Sequence, residues 1–363
     1  MQAADIILKR ARTLKPHPPA EALEFGKTFT DHMLTVDWSR QKGWGRPEIV
    51  PFGPITLQPS ANCLHYATEC FEGMKAHRDA RDSARYLLFR PELNMARLQE
   101  AAQRLVLPAF DGQELLQCIR ALVRLEGHWI PERAGYALYI RPTLLATNAA
   151  IGVAPAEEAR LLVLASPVGP YFGTGVGAVR LLASDPGRFV RAWPGGTGQY
   201  KIGANYGPTV YAQQEAAREG CQQVLWLFGA EEALTEAGTM NCFVLWRRKG
   251  DGRVELVTPG LETQLILAGV VRRSVLELAR TWGEFVVSER HVRMAELLDA
   301  QREGRLLEMF GTGTACVVAP VSAVRYRGRD YAVPLGALAG RLFTQLQQIQ
   351  TGVQGHADWA VPA

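Results

Sequence analysis

The chain has 363 residues, 47% of them hydrophobic and 21% charged, with 40 basic against 36 acidic residues and a formal net charge of +4. That length accommodates two domains, each burying its own core without a disulfide or metal staple. Apolar runs such as LLVLASPV fall far short of a bilayer span, and the basic residues form no Lys/Arg block, so neither a membrane nor a nucleic-acid partner is expected.

Six cysteines, at 63, 70, 118, 221, 242 and 316, are widely spaced without a CxxC pair and read as free core thiols in a reducing compartment. The opening MQAADIILKRARTLKPHPP has no long apolar segment and is not a secretory signal. It reads as a short disordered or surface arm, with a fragment of an organellar presequence left open.

In chain order, KTFTDHMLTVDW and IVPFGPITLQP read as strands joined by Gly/Pro turns, and LHYATECFEGMKAH as a further buried strand or turn. PELNMARLQEAAQRLVLP carries Leu93, Ala96, Leu98, Ala101, Ala102 and Leu105 at helical spacing, with Asn94 as candidate cap and Pro108 as stop. The next helix is expected over 113–126, followed by strands in AGYALYIRPTLL and RLLVLASPV. GPYFGTGVGAV and SDPG suggest a hinge. The predicted domains are therefore 1–172, a linker over 173–182, and 183–363.

Beyond the hinge, RFVRAW reads as a strand, then a helix begins with Pro208 in its first turn. Strands follow in QQVLWLFG, CFVLWRR and RVELVTP, a helix in ILAGVVRRSVLELARTW, a strand in EFVVSERHV and a helix in RMAELLDAQREG. LLEMFGTGTACVVAPVSAVRYRG reads as strand, glycine turn and strand; a closing helix over 341–350 and a frayed tail complete the chain. The pattern predicts an α+β fold, two mixed domains with substantial antiparallel sheet.

Some motifs mislead. GTGVGA at 173–178 fits a loose dinucleotide fingerprint but lacks the flanking strand, helix and acidic residue. GGTGQYKIG has Tyr200 and Ile202 where a phosphate-binding P-loop needs Gly and Ser or Thr. His65, His77 and His291 have no metal-ligand spacing, so no metal is assigned.

Lys201 stands out: one lysine in AWPGGTGQYKIGANYGPTVYAQQEA, flanked by tyrosines, between an apolar segment and a helix. A partly buried amine with lowered pKa is a nucleophile toward a carbonyl, including the aldehyde of pyridoxal phosphate. Such a cofactor also needs an anion cradle, which Gly311–Thr314, the helix start at Val270 and Val271, and Arg97 offer, and an acid near its ring nitrogen, which Glu236 offers. Glycine turns also occur merely to turn, and glutamates commonly face water.

LHYATECFEGMKAH, FRPELNMARL, YKIGANYGPTVYAQQEA, LTEAGTMNCFVLW and FGTGTAC, collinear over nearly the whole chain, resemble the branched-chain amino acid aminotransferases among the fold-type IV pyridoxal phosphate enzymes. The resemblance implies pyridoxal 5'-phosphate as cofactor and Lys201 as Schiff-base lysine and proton shuttle. Glu236 would face the pyridine nitrogen and Tyr206 the phenolic oxygen; Arg97, the amides of Val270 and Val271, and Thr314 would hold the phosphate. Tyr66, Phe71, Tyr139 and Tyr171 would line an apolar pocket shared across a homodimer, with Thr239, Ala315 and Arg141 as candidates for the substrate carboxylate. The implied reaction moves the amino group of leucine, isoleucine or valine to 2-oxoglutarate, giving the 2-oxo acid and glutamate. The alternatives are a D-amino acid aminotransferase, an aminodeoxychorismate lyase, or an inert binding protein. The animal branch typically carries a CxxC pair after the phosphate turn; here ACVVAP has Cys316 but Ala319, which favours a bacterial cytoplasmic enzyme without disulfide regulation over an animal mitochondrial one.

Overall fold

The computed structural model describes residues 1–170, 177–356 and 358–363. The chain forms two compact units: Met1–Tyr171 with Tyr200–Ala204 and Leu346–Ala363, and Phe172–Gln199 with Asn205–Gln345. The split is therefore not the linear one expected from the hinge. Tyr200–Ala204, which carries the lysine, and the C-terminal eighteen residues assigned above to the second domain both belong to the first unit.

In the first unit, β1 (His32–Ser39), β2 (Glu69–Phe71), β3 (Met74–Asp79), β4 (Asp82–Phe89), β5 (Ala137–Ala146) and β6 (Glu158–Val168) form most of a mainly antiparallel sheet. Its path runs from Ile7–Leu8 through Glu48–Pro51, β1, β6, β5, β3 and β4 to Ala360–Pro362, with β2 paired to β5. The strands alternate, so Leu34, Val36, Leu138, Ile140, Leu161 and Val163 share one buried face. Against that face pack α1 (Pro91–Arg104) and α2 (Gly112–Glu126), which contribute Leu98, Ala101, Leu115, Ile119 and Leu122 at helical spacing. Each of the leucine and isoleucine side chains contributes about 1.5–3 kcal/mol by leaving water. Asp111 caps α2 by accepting from the amides of Gln113 and Glu114.

The second unit contains β7 (Val179–Ala183), β8 (Gln223–Phe228), β9 (Ala233–Ala237), β10 (Met240–Arg247), β11 (Val254–Thr258), β12 (Val286–Glu289), β13 (Leu306–Gly313) and β14 (Val317–Tyr326). Pairing runs β9–β8–β7–β14–β13–β10, and β9 pairs with β10 as well, so these six strands close into a ring. Closure removes free edges from the strands that carry Glu236, Asn241 and Thr312. The helices are α3 (Thr209–Arg218), α4 (Val270–Trp282) and α5 (Met294–Arg302), and the closing helix is α6 (Leu338–Gln350). The α+β class with two mixed units stands.

Six expectations are corrected. RFVRAW is not a strand: the Asp185 carbonyl accepts from Arg188 and Phe189, the Asp185 carboxylate accepts from Gly187, and the backbone turns instead of extending. The strand lies earlier, at β7, and takes in residues 179–182 that were assigned to the linker. Asn94 does not cap α1; the helix starts at Pro91 after Arg90 in the left-handed region, and Asn94 turns inward. LHYATECFEG opens with a short helix, Asn62–Tyr66, before β2. The tail is not frayed, since Ala360–Pro362 pairs with Leu87–Phe89 and the Arg90 guanidinium lies 4.3 Å from the Trp359 ring. The N-terminal arm is likewise tied down by Ile7–Leu8 pairing with Glu48–Ile49 and by the Ala11 amide, which donates to His32 Nε2 at 2.8 Å. Among the described residues no helix is long and apolar enough to cross a membrane.

Candidate active site

In the first unit, Lys201 sits on a short segment laid against β2. The Phe71 amide donates to the Lys201 carbonyl at 3.0 Å, Ile202 bridges Cys70, and the buried Ile202 side chain anchors the segment in the core. The lysine is thus held from both sides while its Nζ lies 4.8 Å from the Phe71 ring centre. Burial, followed by the positive charge of Arg97, brings its pKa down to about 8; Glu72 and Tyr139 pull the other way, and Arg141 adds to the lowering.

Glu72, which the sequence reading passed over, is fully buried beside this lysine. Its carboxylate accepts from Arg97 Nε at 2.5 Å and Nη2 at 2.9 Å, from Asn94 Nδ2 at 2.8 Å, and from the Gly73 amide at 2.9 Å. Burial alone would push its pKa up, yet the Arg97 charge and hydrogen bond, helped by Lys201 and Asn94, hold it below the usual carboxylate range. An acid in ECFEGMKA, at the break between β2 and β3, was the available signal.

Phe71, Tyr139 and Arg141 also gather here. Arg141 Nη2 donates to the Tyr139 hydroxyl at 2.8 Å, and its guanidinium lies 4.6 Å from the Phe71 ring centre. Arg141 Nε is buried without a hydrogen-bond partner, so this cation has bonding capacity in reserve. Tyr66 is exposed at the end of Asn62–Tyr66, next to His65. Tyr171 lies outside the described residues.

In the second unit, Glu236 occupies β9, opposite Asn241 of β10. It is buried, ion-paired to Arg191 Nη2 at 2.6 Å, and accepts from the Leu267 amide at 2.9 Å and from Asn241 Nδ2 at 3.3 Å. Asn241 also donates to the Leu267 carbonyl at 2.8 Å, so Glu236 and Asn241 together fix the approach to α4. A Cβ on Gly269 would sit 2.0 Å from Asn241 Oδ1, which explains a glycine where that approach is closest. Arg191 and Asn241 were also missed; Arg191 lay within the stretch misread as a strand.

The helix α4 begins at Val270 with no side-chain cap, leaving the amides of its first turn to other acceptors. In register with Asn241 stands Thr312, whose Oγ1 is buried with no hydrogen-bond partner. Thr314 and Ala315 follow β13 half-buried, Thr239 is exposed in the β9–β10 turn, and Tyr206 is half-buried just before α3, its carbonyl accepting from Thr209 Oγ1 at 2.6 Å.

The pattern of the amino-transferase class IV family matches residues 69–324. The mitochondrial branched-chain-amino-acid aminotransferase of Bos taurus is 50% identical over 369 residues, spanning 99% of this chain and 92% of that one. The cytosolic one of Ovis aries is 48% identical over 364 residues, spanning 99% and 93%. The chain belongs to the branched-chain-amino-acid aminotransferase family. Among solved structures, the T.th. branched-chain amino acid aminotransferase with pyridoxamine 5'-phosphate superposes with a TM-score of 0.69 at 27% identity, covering 90% of this chain and 97% of that one.

Within this family fold, each unit assembles its own group of candidate residues. The first holds Lys201, Phe71, Arg97, Tyr139 and Arg141 with Glu72; the second holds Glu236, Val270, Val271 and Thr314 with Arg191, Asn241 and Thr312. Cys316 is buried with its Sγ 3.4 Å from Met240 Sδ, and the position where a CxxC pair would have its second thiol is the buried Ala319. All six cysteines are free.

Proposed function

We propose that this chain catalyses the reversible transfer of the amino group of L-leucine, L-isoleucine or L-valine to 2-oxoglutarate, giving the branched 2-oxo acid and L-glutamate, with pyridoxal 5'-phosphate as cofactor. The observation that carries the reading is Lys201, an amine brought down to about pKa 8 by burial and clamped by its backbone to β2. The donor set suits a phosphorylated aldehyde: a lowered-pKa amine, the Arg97 guanidinium with the edge that Glu72 leaves uncovered, uncapped amides at α4, and the orphaned buried hydroxyl of Thr312. Assigning the groups of both units to one cofactor rests on the family membership.

When bound, pyridoxal 5'-phosphate supplies a carbonyl carbon for the amino group and a ring that takes up the electron pair of the breaking α-C–H bond. Lys201 Nζ would hold the cofactor through its aldehyde carbon and, as a free amine, would take the substrate α-proton and give it back, so one base would serve both halves of the exchange. Glu236 holds a proton on the ring nitrogen, and Arg191 fixes the direction of that carboxylate. Tyr206 donates to the phenolic oxygen; Arg97, the amides of Val270 and Val271, and Thr314 hold the phosphate. Tyr66, Phe71 and Tyr139 line the side-chain pocket. Arg141, Thr239 and Ala315 meet the substrate carboxylate, and the buried, unpartnered Nε of Arg141 favours it most. One methylene in an apolar pocket is worth about 1–3 kcal/mol, so the three amino acids are not sharply separated.

The working form is a homodimer. Leu64, Tyr66, Ile151 and Val153 are all exposed in the first unit, where Asn62 Nδ2 ties the two segments together through the carbonyls of Ala150 and Gly152. Paired apolar segments left in water favour self-association. The setting is a reducing cytoplasm, bacterial on the sequence reading, and the six free thiols support the reducing part of it. Incubation with 15N-leucine and 2-oxoglutarate tests the reaction: 15N-glutamate forms on this reading, whereas glutamate formation only from a D-amino acid donor points to the D-amino acid aminotransferase alternative.

A further inference from the structure

We propose that Glu72 is a positioning residue for this reaction: its carboxylate aims the guanidinium of Arg97 and supplies the negative charge that faces Lys201. The inference rests on the cofactor reading above and assigns a role to a residue that the reading leaves out.

Three features carry it. First, the grip is two-pronged. Glu72 takes Arg97 through Nε at 2.5 Å and Nη2 at 2.9 Å, which fixes both the plane of the guanidinium and the direction in which its opposite edge points. Second, the carboxylate is itself immobilised. Asn94 Nδ2 at 2.8 Å and the Gly73 amide at 2.9 Å hold its oxygens, and the Glu72 amide donates to the Pro142 carbonyl at 2.8 Å. Asn94 and Arg97 lie one helical turn apart on α1, so both reach this acid from the same side of the helix.

Third, Glu72 follows Phe71, whose amide is bonded to the Lys201 carbonyl, so the acid and the lysine are tied through adjacent backbone. The charged and titratable groups acting on Lys201 are Arg97 and Arg141, which oppose its protonated form, and Glu72 and Tyr139, which favour it. Burial pushes the pKa of Glu69, on β2, up, and the charge of Arg141 offsets this only in part. Of the carboxylates, Glu72 is the one that acts on Arg97 and Lys201 together.

The test separates aim from charge. Apoenzyme of the full chain is treated with pyridoxal 5'-phosphate or with pyridoxal, which lacks the phosphate, then reduced with borohydride, and modification at Lys201 is measured by mass spectrometry across pH. In Glu72→Gln the preference for the phosphorylated aldehyde is expected to fall roughly tenfold or more, because the phosphate grip loses its aim. The pH midpoint of capture moves lower, because a charge favouring protonated lysine is gone. Glu72→Asp keeps the charge at a shorter reach, so preference falls while the midpoint stays near that of the wild type. If Glu72→Gln does not fold, Asn94→Ala, which removes one support and no charge, is expected to reduce the preference alone. Unchanged preference and midpoint in the folded variants overturn the proposal, as does an equal loss for both aldehydes with an unmoved midpoint. Failure of the wild type to capture either aldehyde at Lys201 overturns the cofactor reading itself, and this proposal with it.

Discussion

The two units solve opposite problems with similar materials. Around Lys201, burial and the guanidinium groups of Arg97 and Arg141 act against the protonated amine, while Glu72 and Tyr139 partly restore it, and the outcome is a base poised near neutrality. Around Glu236, one carboxylate receives Arg191, the Leu267 amide and Asn241, and is fixed as an ion-paired anion. The contrast teaches that a group required to exchange protons is left under competing influences, whereas a group required to stay charged is surrounded by donors.

The largest effect expected is from Lys201→Ala, which removes the poised base. Amino transfer falls by roughly 10⁴-fold or more, measured as glutamate formation from leucine. Retention of more than a small fraction of activity would place the base elsewhere.

Next is Glu236→Gln, which breaks the settled side. Losing the charge lowers turnover by roughly 10²–10³-fold. It also leaves Arg191 buried without its counter-ion, costing about 3–5 kcal/mol, visible as a lower Tm. An unchanged Tm would mean that the Arg191 pair is not the rigid contact described here.

The poise itself is read by pH. A folded-state pKa of about 8 leaves about a tenth of Lys201 neutral at pH 7, against about three parts in ten thousand at the ordinary value near 10.5. Capture of pyridoxal 5'-phosphate by the apoenzyme therefore rises with pH, is half-maximal near pH 8 and levels off above about 9. A rise that continues to pH 10 contradicts the lowered value.

Arg97→Lys keeps a positive charge but loses the fork, so cofactor affinity falls by roughly tenfold or somewhat more, measured by equilibrium dialysis. The smallest effect belongs outside both clusters. With Ala319 in place of a second thiol, mild peroxide followed by a thiol reductant is expected to leave turnover unchanged, and Cys316→Ser to alter it little. Reversible inactivation by peroxide would expose a redox switch that the single thiol does not explain.

Local pattern made much of this legible. Lys201 between a glycine run and a helix, and Glu236 before a glycine turn, declared themselves because each needs only its neighbours to be noticed. The helices α1, α2 and α5 followed from periodicity. Glu72 and Asn94 did not, since an acid and an arginine 25 residues apart show no pairing until β2 and α1 fold together. Asn94 has the chemistry of a cap and was read as one, but its amide answers a carboxylate distant in sequence. RFVRAW has the alternation of a strand, yet its amides are spent in turns and Arg191 goes to Glu236. The closing strand Ala360–Pro362 is too short for periodicity to reveal and exists because β4 offers an edge.

The measurement that bears most directly on the account is a single-turnover absorption experiment on the holoenzyme. Leucine alone is expected to abolish the visible absorbance of bound pyridoxal 5'-phosphate, with one equivalent of 2-oxo acid released per site. 2-Oxoglutarate then restores the absorbance and yields one equivalent of glutamate. A visible band that leucine leaves unchanged, in protein whose cofactor is bound through Lys201, contradicts the assignment of this chain's site to branched-chain amino transfer.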